Sequence, residues 1–152
     1  MIRWLSTQQK GCHTAFCTNI INKGTFKWTL KLISKGTVGN SMSIGIIDSS
    51  KTNKPFTSFI GGRDDIISYG YYSCNGASCS VTKYGYPPYG VSYGTVGDVV
   101  TTILDMDNLT LAYEVNGKYQ GIAFENIKKI SYTLAISTYN VDDAWKYIWK
   151  MN

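Results

Sequence analysis

Two glutamates, Glu114 and Glu125, one histidine and three prolines are all that the 152-residue chain holds of those residue types. Each scarcity excludes something. Retaining glycoside hydrolysis needs two carboxylates about 5 Å apart. The two glutamates flank an Asn116-Gly117 pair, and neither has an acidic partner beside it. A lone His13 is no evidence of general-base chemistry, and no nucleophile elbow, phosphate-binding loop or HExxH zinc motif occurs. The expectation is a non-enzymatic protein without cofactor or metal. No apolar run approaches the ~18 residues of a membrane span. Residues 1–10 contain no apolar core of signal-peptide length, so the expected localisation is cytoplasmic. Linkers, charge blocks, low-complexity tracts and helical heptads are missing too, and residues 1–152 read as a single domain.

What is present points to strands. Aromatic residues make up 14% of the chain, with twelve tyrosines, and there are fifteen glycines. Few helix formers accompany them, which suits strands joined by tight turns. The net charge of +5 comes mainly from scattered lysines, the tightest cluster being Lys128-Lys129. A nucleic-acid surface calls for a basic patch with interleaved aromatics or a known motif. Neither is visible, so the lysines are assigned to solvated strand faces and blunted sheet edges.

Four cysteines form two pairs, Cys12/Cys17 and Cys74/Cys79. If residues 14–20 are a strand, the five-residue offset places the first pair on opposite faces, which disfavours chelation. Reduced structural thiols are expected; a zinc site and a disulfide are the alternatives.

Period-two alternation marks the clearest strands. In residues 25–33, Phe26, Trp28, Leu30 and Leu32 share one face, and Lys27, Thr29 and Lys31 share the other. Met42, Ile44 and Ile46 align in residues 42–47, after a Gly- and Ser-rich loop at 36–41. Residues 48–65 read as irregular, 66–72 as a strand, and 74–80 as a turn or loop. The run Tyr84-Gly85-Tyr86-Pro87-Pro88-Tyr89-Gly90, followed by Tyr93-Gly94, reads as a long tyrosine-rich loop, since its prolines forbid a central strand. Residues 99–105 and 110–115 form a hairpin, and 118–124 pairs back through Asn116-Gly117, the signature of a type I′ turn. Residues 131–137 make another strand. Trp145, Tyr147 and Trp149 share a face of a closing one. At most one helical turn is expected, at 125–127. About a dozen strands with frequent turns imply an all-β, two-sheet antiparallel β-sandwich. Trp28, Trp145, Tyr132 and Phe124 are expected in its core.

The segment from Gly97 to Phe124 carries a more specific pattern. Gly97, Asp98, Val99, Leu104, Asp105, Leu111, Tyr113, Asn116, Gly117, Gly121, Ala123 and Phe124 occur in the order and spacing of the SPRY domain signature, which this stretch resembles. The resemblance extends over nearly the whole chain. Gly24 followed by Phe26 to Leu32 is similar to the family's tryptophan-bearing strand. Gly45 matches the glycine of its next strand. Phe56-Thr57-Ser58-Phe59-Ile60-Gly61 resembles a segment of peptide-capturing members, and Tyr132 to Ser137 resembles the penultimate strand. There is little room for the extra N-terminal element of the tripartite-motif relatives.

The resemblance implies a concanavalin A-like jelly-roll sandwich that binds a protein or peptide partner through loops at one end. It also implies a role as adaptor or scaffold in a multi-protein complex; no nucleic acid and no membrane are expected, from the scattered lysines and the short apolar runs. Carried across, the contact residues are Phe56 together with Thr138, Tyr139 and Asn140 on the late loop. The tyrosine-rich loop adds Tyr84, Tyr86, Tyr89 and Tyr93, because tyrosine gives rigid contact area at low entropic cost. Tyr139-Asn140 stands where the family often has Trp-Gly, and the early Arg/Pro loop has no clear counterpart. These departures point to a different peptide motif on the same surface. Two other readings accompany this one: a lectin-like carbohydrate-binding domain, for which Asp105, Asp107 and Asn108 are the compact acidic cluster, and a structural subunit of a large complex.

Overall fold

The structure is a computed structural model, and it describes residues 3–5, 13–37, 41–53, 59–62, 66–80, 87–140 and 142–148. Among the described residues eleven strands follow one another: β1 (Arg3–Leu5), β2 (His13–Phe16), β3 (Thr25–Ser34), β4 (Met42–Asp48), β5 (Ser68–Tyr72), β6 (Ser78–Ser80), β7 (Val99–Asp105), β8 (Thr110–Val115), β9 (Lys118–Phe124), β10 (Tyr132–Thr138) and β11 (Ala144–Tyr147). They form a six-stranded sheet ordered β1-β2-β10-β4-β5-β6 and a five-stranded sheet ordered β11-β3-β7-β8-β9. Every pairing is antiparallel. This is the expected two-sheet sandwich.

The alternation seen in β3 sets the layer between the sheets. Trp28, Leu30 and Leu32 are fully buried and face Ile44 and Ile46 of β4 and Leu134 and Ile136 of β10 in one core. Tyr132, Phe124 and Trp145 join them, as the sequence predicts. The β8–β9 hairpin closes through Asn116 and Gly117 with φ of 52° and 80°, both left-handed, as a type I′ turn requires.

The six-stranded sheet is covered on its outer face as well. Along β4, Met42 to Ile47 are buried without interruption, because residues 59–62 cross the outward side. Ile60 packs there with Ile47, Ile66 and Ala135 in a second, smaller cluster, with Phe16 against it. Small side chains on the sheet permit this close approach. A Cβ on Gly70 would lie 2.2 Å from the Ile60 carbonyl oxygen, and one on Gly61 (φ 89°) would lie 2.2 Å from that of Cys79.

Several boundaries differ from expectation. Residues 14–20 give a strand only as far as Phe16; Cys17 and Ile21 still reach β10 through backbone bonds to Leu134 and Tyr132. The 66–72 strand begins at Ser68. The end of the 74–80 loop is β6, a short polar edge strand without apolar alternation. β1 and a short 3-10 helix at Ser49–Lys51, capped by the Asp48 carboxylate, carried no signal. Residues 125–127 bend without forming a helical turn, and Trp149 lies outside the described residues. Among those residues, no helix is long and apolar enough to cross a membrane.

Candidate functional site

The β10–β11 connection, the 73–77 turn, the 87–98 loop and the Asn116-Gly117 turn leave the sandwich at one end. There the crossing segment 59–62 meets the β10–β11 loop. Four hydrogen bonds fix the segment: Ile60 N donates to Ser137 Oγ (3.1 Å), Ser43 Oγ to the Ile60 carbonyl (2.9 Å), Gly61 N to Ser68 Oγ (2.8 Å), and Cys79 Sγ to the Gly61 carbonyl (2.8 Å). Phe59 is thereby set edge-on to Tyr72, with centroids 5.7 Å apart, and to Tyr139, at 4.7 Å. Tyr139 is 48% exposed.

The loop that carries Tyr139 is built around a buried carboxylate. Asp143, 2% exposed, accepts from the Gly36 amide at 2.7 Å and from the Thr138 hydroxyl. The Thr138 hydroxyl accepts in turn from the Asn140 amide, and the Asp143 amide donates to the Asn140 carbonyl. Ser34 Oγ donates to the Asp142 carbonyl at 2.8 Å, and Tyr139 N to that of Ser41. Thr138 and Asn140 are buried within this network. Of the three late-loop residues singled out in the sequence, Tyr139 alone presents its side chain to solvent.

The described part of the tyrosine-rich loop, from residue 87 onward, is folded onto the sandwich. Tyr93 is 2% exposed, stacks on Tyr71 at 5.0 Å and on Trp145 at 6.2 Å, and its hydroxyl donates to the Tyr71 carbonyl. That places it in the core rather than on a contact surface. Tyr89 is half-buried against Tyr71 and Tyr113. The Tyr71 hydroxyl donates to Val91 O and that of Tyr113 to Ile44 O. Tyr84, Tyr86 and Phe56 lie outside the described residues.

Burial pushes the Tyr89 phenol up to about 12 from 10.0. It raises Tyr71, Tyr93, Tyr113 and Tyr132 as well, and neighbouring phenols add to the effect in all four. An unfolded chain releases these protons near pH 10, before the folded one does, so their contribution is complete below that pH and lost above it. Melting temperature should therefore fall steeply from about pH 10 towards pH 12, with tyrosinate absorbance from this cluster rising only as the fold is lost. Titration of all twelve tyrosines near pH 10 in a folded protein would contradict the packing.

The acidic cluster serves its own turn. The Asp105 carboxylate accepts from Asn108 Nδ2 (2.8 Å) and from the amides of Asn108 and Asp107 (3.0 Å each), and these bonds lower its pKa. Asp107 accepts from the Gly24 amide. Burial raises the Asp98 pKa, but hydrogen bonds from Asn116, Thr95 and Gly94 outweigh it and hold the carboxyl below its usual range. Among the described residues no group of three His, Cys, Asp or Glu could hold a metal ion. Cys17, Cys74 and Cys79 are not joined in disulfides, and Cys12 lies outside the described residues.

Phe59, Tyr72 and Asp143 complete the site, and sequence reasoning missed all three as site residues. Phe59 lies three residues after Phe56, in the segment that resembles peptide-capturing members. Nothing local marks Asp143, whose partners lie on β10 and in the chain after β3.

The sequence profile of the SPRY domain matches residues 25–144, and the chain belongs to that family. Its members are non-enzymatic protein-interaction modules. The chain is 36% identical over 104 residues to Ran-binding protein 9 of Xenopus tropicalis, covering 68% of this chain and 18% of that protein. It is 33% identical over 104 residues to Ran-binding protein 9 of Danio rerio, covering 68% and 16%. The matched region is thus under a fifth of either relative. The SPRY domain of human HERC1 superposes with a TM-score of 0.73 at 19% identity, over 90% of this chain and 82% of that one. A second human SPRY domain gives 0.69 at 13% identity, over 95% and 88%.

Proposed function

We propose that this domain captures a peptide segment of a protein partner at the end of the sandwich where Phe59, Tyr72 and Tyr139 meet, acting as an adaptor or scaffold in a cytoplasmic multi-protein assembly. The observation that carries the reading is Tyr139: a half-exposed aromatic held edge-on to Phe59 by a buried carboxylate network. An anchor fixed before binding loses little entropy on association. Interfaces concentrate their energy in a few such aromatics, each contributing about 2 kcal/mol or more. Phe56, Tyr84 and Tyr86 are proposed to extend the same surface, with Tyr89 at its border. Thr138 and Asn140 shape it from within.

Proximity capture with the wild-type chain and with a Phe59→Ala/Tyr139→Ala variant tests this, both proteins being checked for folding by circular dichroism. A partner should be retained by the wild type and weakened about 30-fold or more by the folded variant, the equivalent of one anchor. A partner bound equally by both proteins places the site elsewhere and ends the proposal.

A further inference from the structure

The outer face of the five-stranded sheet carries a second surface of different chemistry. Lys27 and Lys31 project from β3 and Lys146 from β11, all exposed. Lys146 is the direct cross-strand partner of Lys31, and like charges in that position destabilise a sheet. Blunting of a sheet edge does not account for the pair on β3, because β3 lies between β11 and β7. Among the described residues, the acids of this face are not placed to pair with them. Glu114 pairs with Thr101, which pairs with Thr29, and so stands two strand spacings, roughly 10 Å, from β3. Asp105 is engaged by its own turn.

Beside the lysines the face is dry. Thr29 and Thr101 are 7% and 5% exposed and bond to each other at 2.9 Å. Ile103 continues this platform, and Ile122 (48% exposed) and Tyr119 (59% exposed) extend it on β9.

We propose that this face docks a protein segment bearing both acidic and apolar side chains, with carboxylates against Lys27, Lys31 and Lys146 and apolar groups on Ile103, Ile122 and Tyr119. Charge complementarity selects the occupant. The uncompensated lysines favour an anionic partner, and the adjoining platform favours one that also buries apolar area, which separates a protein segment from a bare polyanion. The surface lies on the opposite sheet from the Phe59–Tyr139 cluster, so one domain would hold two protein segments at once.

The test is fluorescence anisotropy with a labelled synthetic peptide alternating glutamate and leucine, beside a matched peptide with lysine for glutamate. The acidic probe should bind the wild-type chain and weaken with added salt. It should bind at least about tenfold more weakly to Lys27→Glu/Lys31→Glu/Lys146→Glu and more weakly to Ile122→Ser. Affinity should be unchanged by Phe59→Ala/Tyr139→Ala, which separates this surface from the loop end. Lys27→Gln/Lys31→Gln serves where charge reversal impairs folding. No binding of the acidic probe at low salt, equal affinity for the lysine variants, or loss on the Tyr139 variant overturns the proposal. So does tighter lysine-dependent binding of single-stranded DNA of equal charge, since the lysines then read a polyanion.

Discussion

Gly70→Ala should destabilise the domain by about 2–4 kcal/mol and weaken partner binding with it. The added methyl would lie 2.2 Å from the Ile60 carbonyl oxygen and 2.4 Å from Ser43 Oγ, the two atoms of one buried hydrogen bond. The Ile60 carbonyl is backbone and cannot rotate aside, so the 59–62 segment has to lift from the sheet. Overpacking alone costs roughly 1–3 kcal/mol. Lifting also exposes Ile60, at 0% in the fold, which forfeits up to another ~2 kcal/mol. For a domain of this size, a loss near 3 kcal/mol lowers the melting temperature by about 6–12 °C. Phe59 travels with the segment, so affinity should fall even at temperatures where the variant is folded. Wild-type melting together with wild-type affinity would show that the segment does not lie against β5.

Asp143→Ala should cost about 2–4 kcal/mol and release Tyr139. The carboxylate accepts two buried donors, the Gly36 amide and the Thr138 hydroxyl. Each donor left without an acceptor costs roughly 1–3 kcal/mol. Asp143→Asn keeps one oxygen for Gly36 and offers an amide to the Thr138 hydroxyl, so it should recover most of the stability and the affinity. The informative comparison is the order wild type, Asn, Ala in urea midpoint and in partner affinity. If alanine and asparagine behave alike, the carboxylate is not what orders the loop.

Local pattern carried the sandwich a long way. β7, β8 and β9 have the boundaries their alternation and the Asn-Gly pair indicate, because a solvated outer face and an apolar inner one leave a period-two trace. β6 left no such trace. Ser78, Cys79 and Ser80 are buried on both sides, and small polar residues there serve the close approach of residues 59–62. The site was less legible for the same reason. Tyr139 stood out as an aromatic on a loop, but the residues that aim it come from distant parts of the chain: Gly36 before β4, Phe59 after it, and Asp143 before β11. Tyr93 resembled a contact residue because tyrosine-glycine runs suit binding loops, whereas the acceptor for its hydroxyl lies on the Tyr71 backbone.

The Tyr89 hydroxyl takes part in the ladder itself. The β8–β9 register slips between Ala112 and Glu114, and at that gap the phenol accepts from the Tyr113 amide at 3.3 Å and donates to the Gly121 carbonyl at 2.5 Å. One side chain from a loop thus stands in for a missing rung between two strands. Gln120 returns the connection by accepting from the Val91 amide. The loop cannot peel away without opening the hairpin, nor the hairpin slide without dislodging the loop. What reads in the sequence as a loop is thereby coupled, over its described residues, to the chain's most regular hairpin, so that the two open as one cooperative unit.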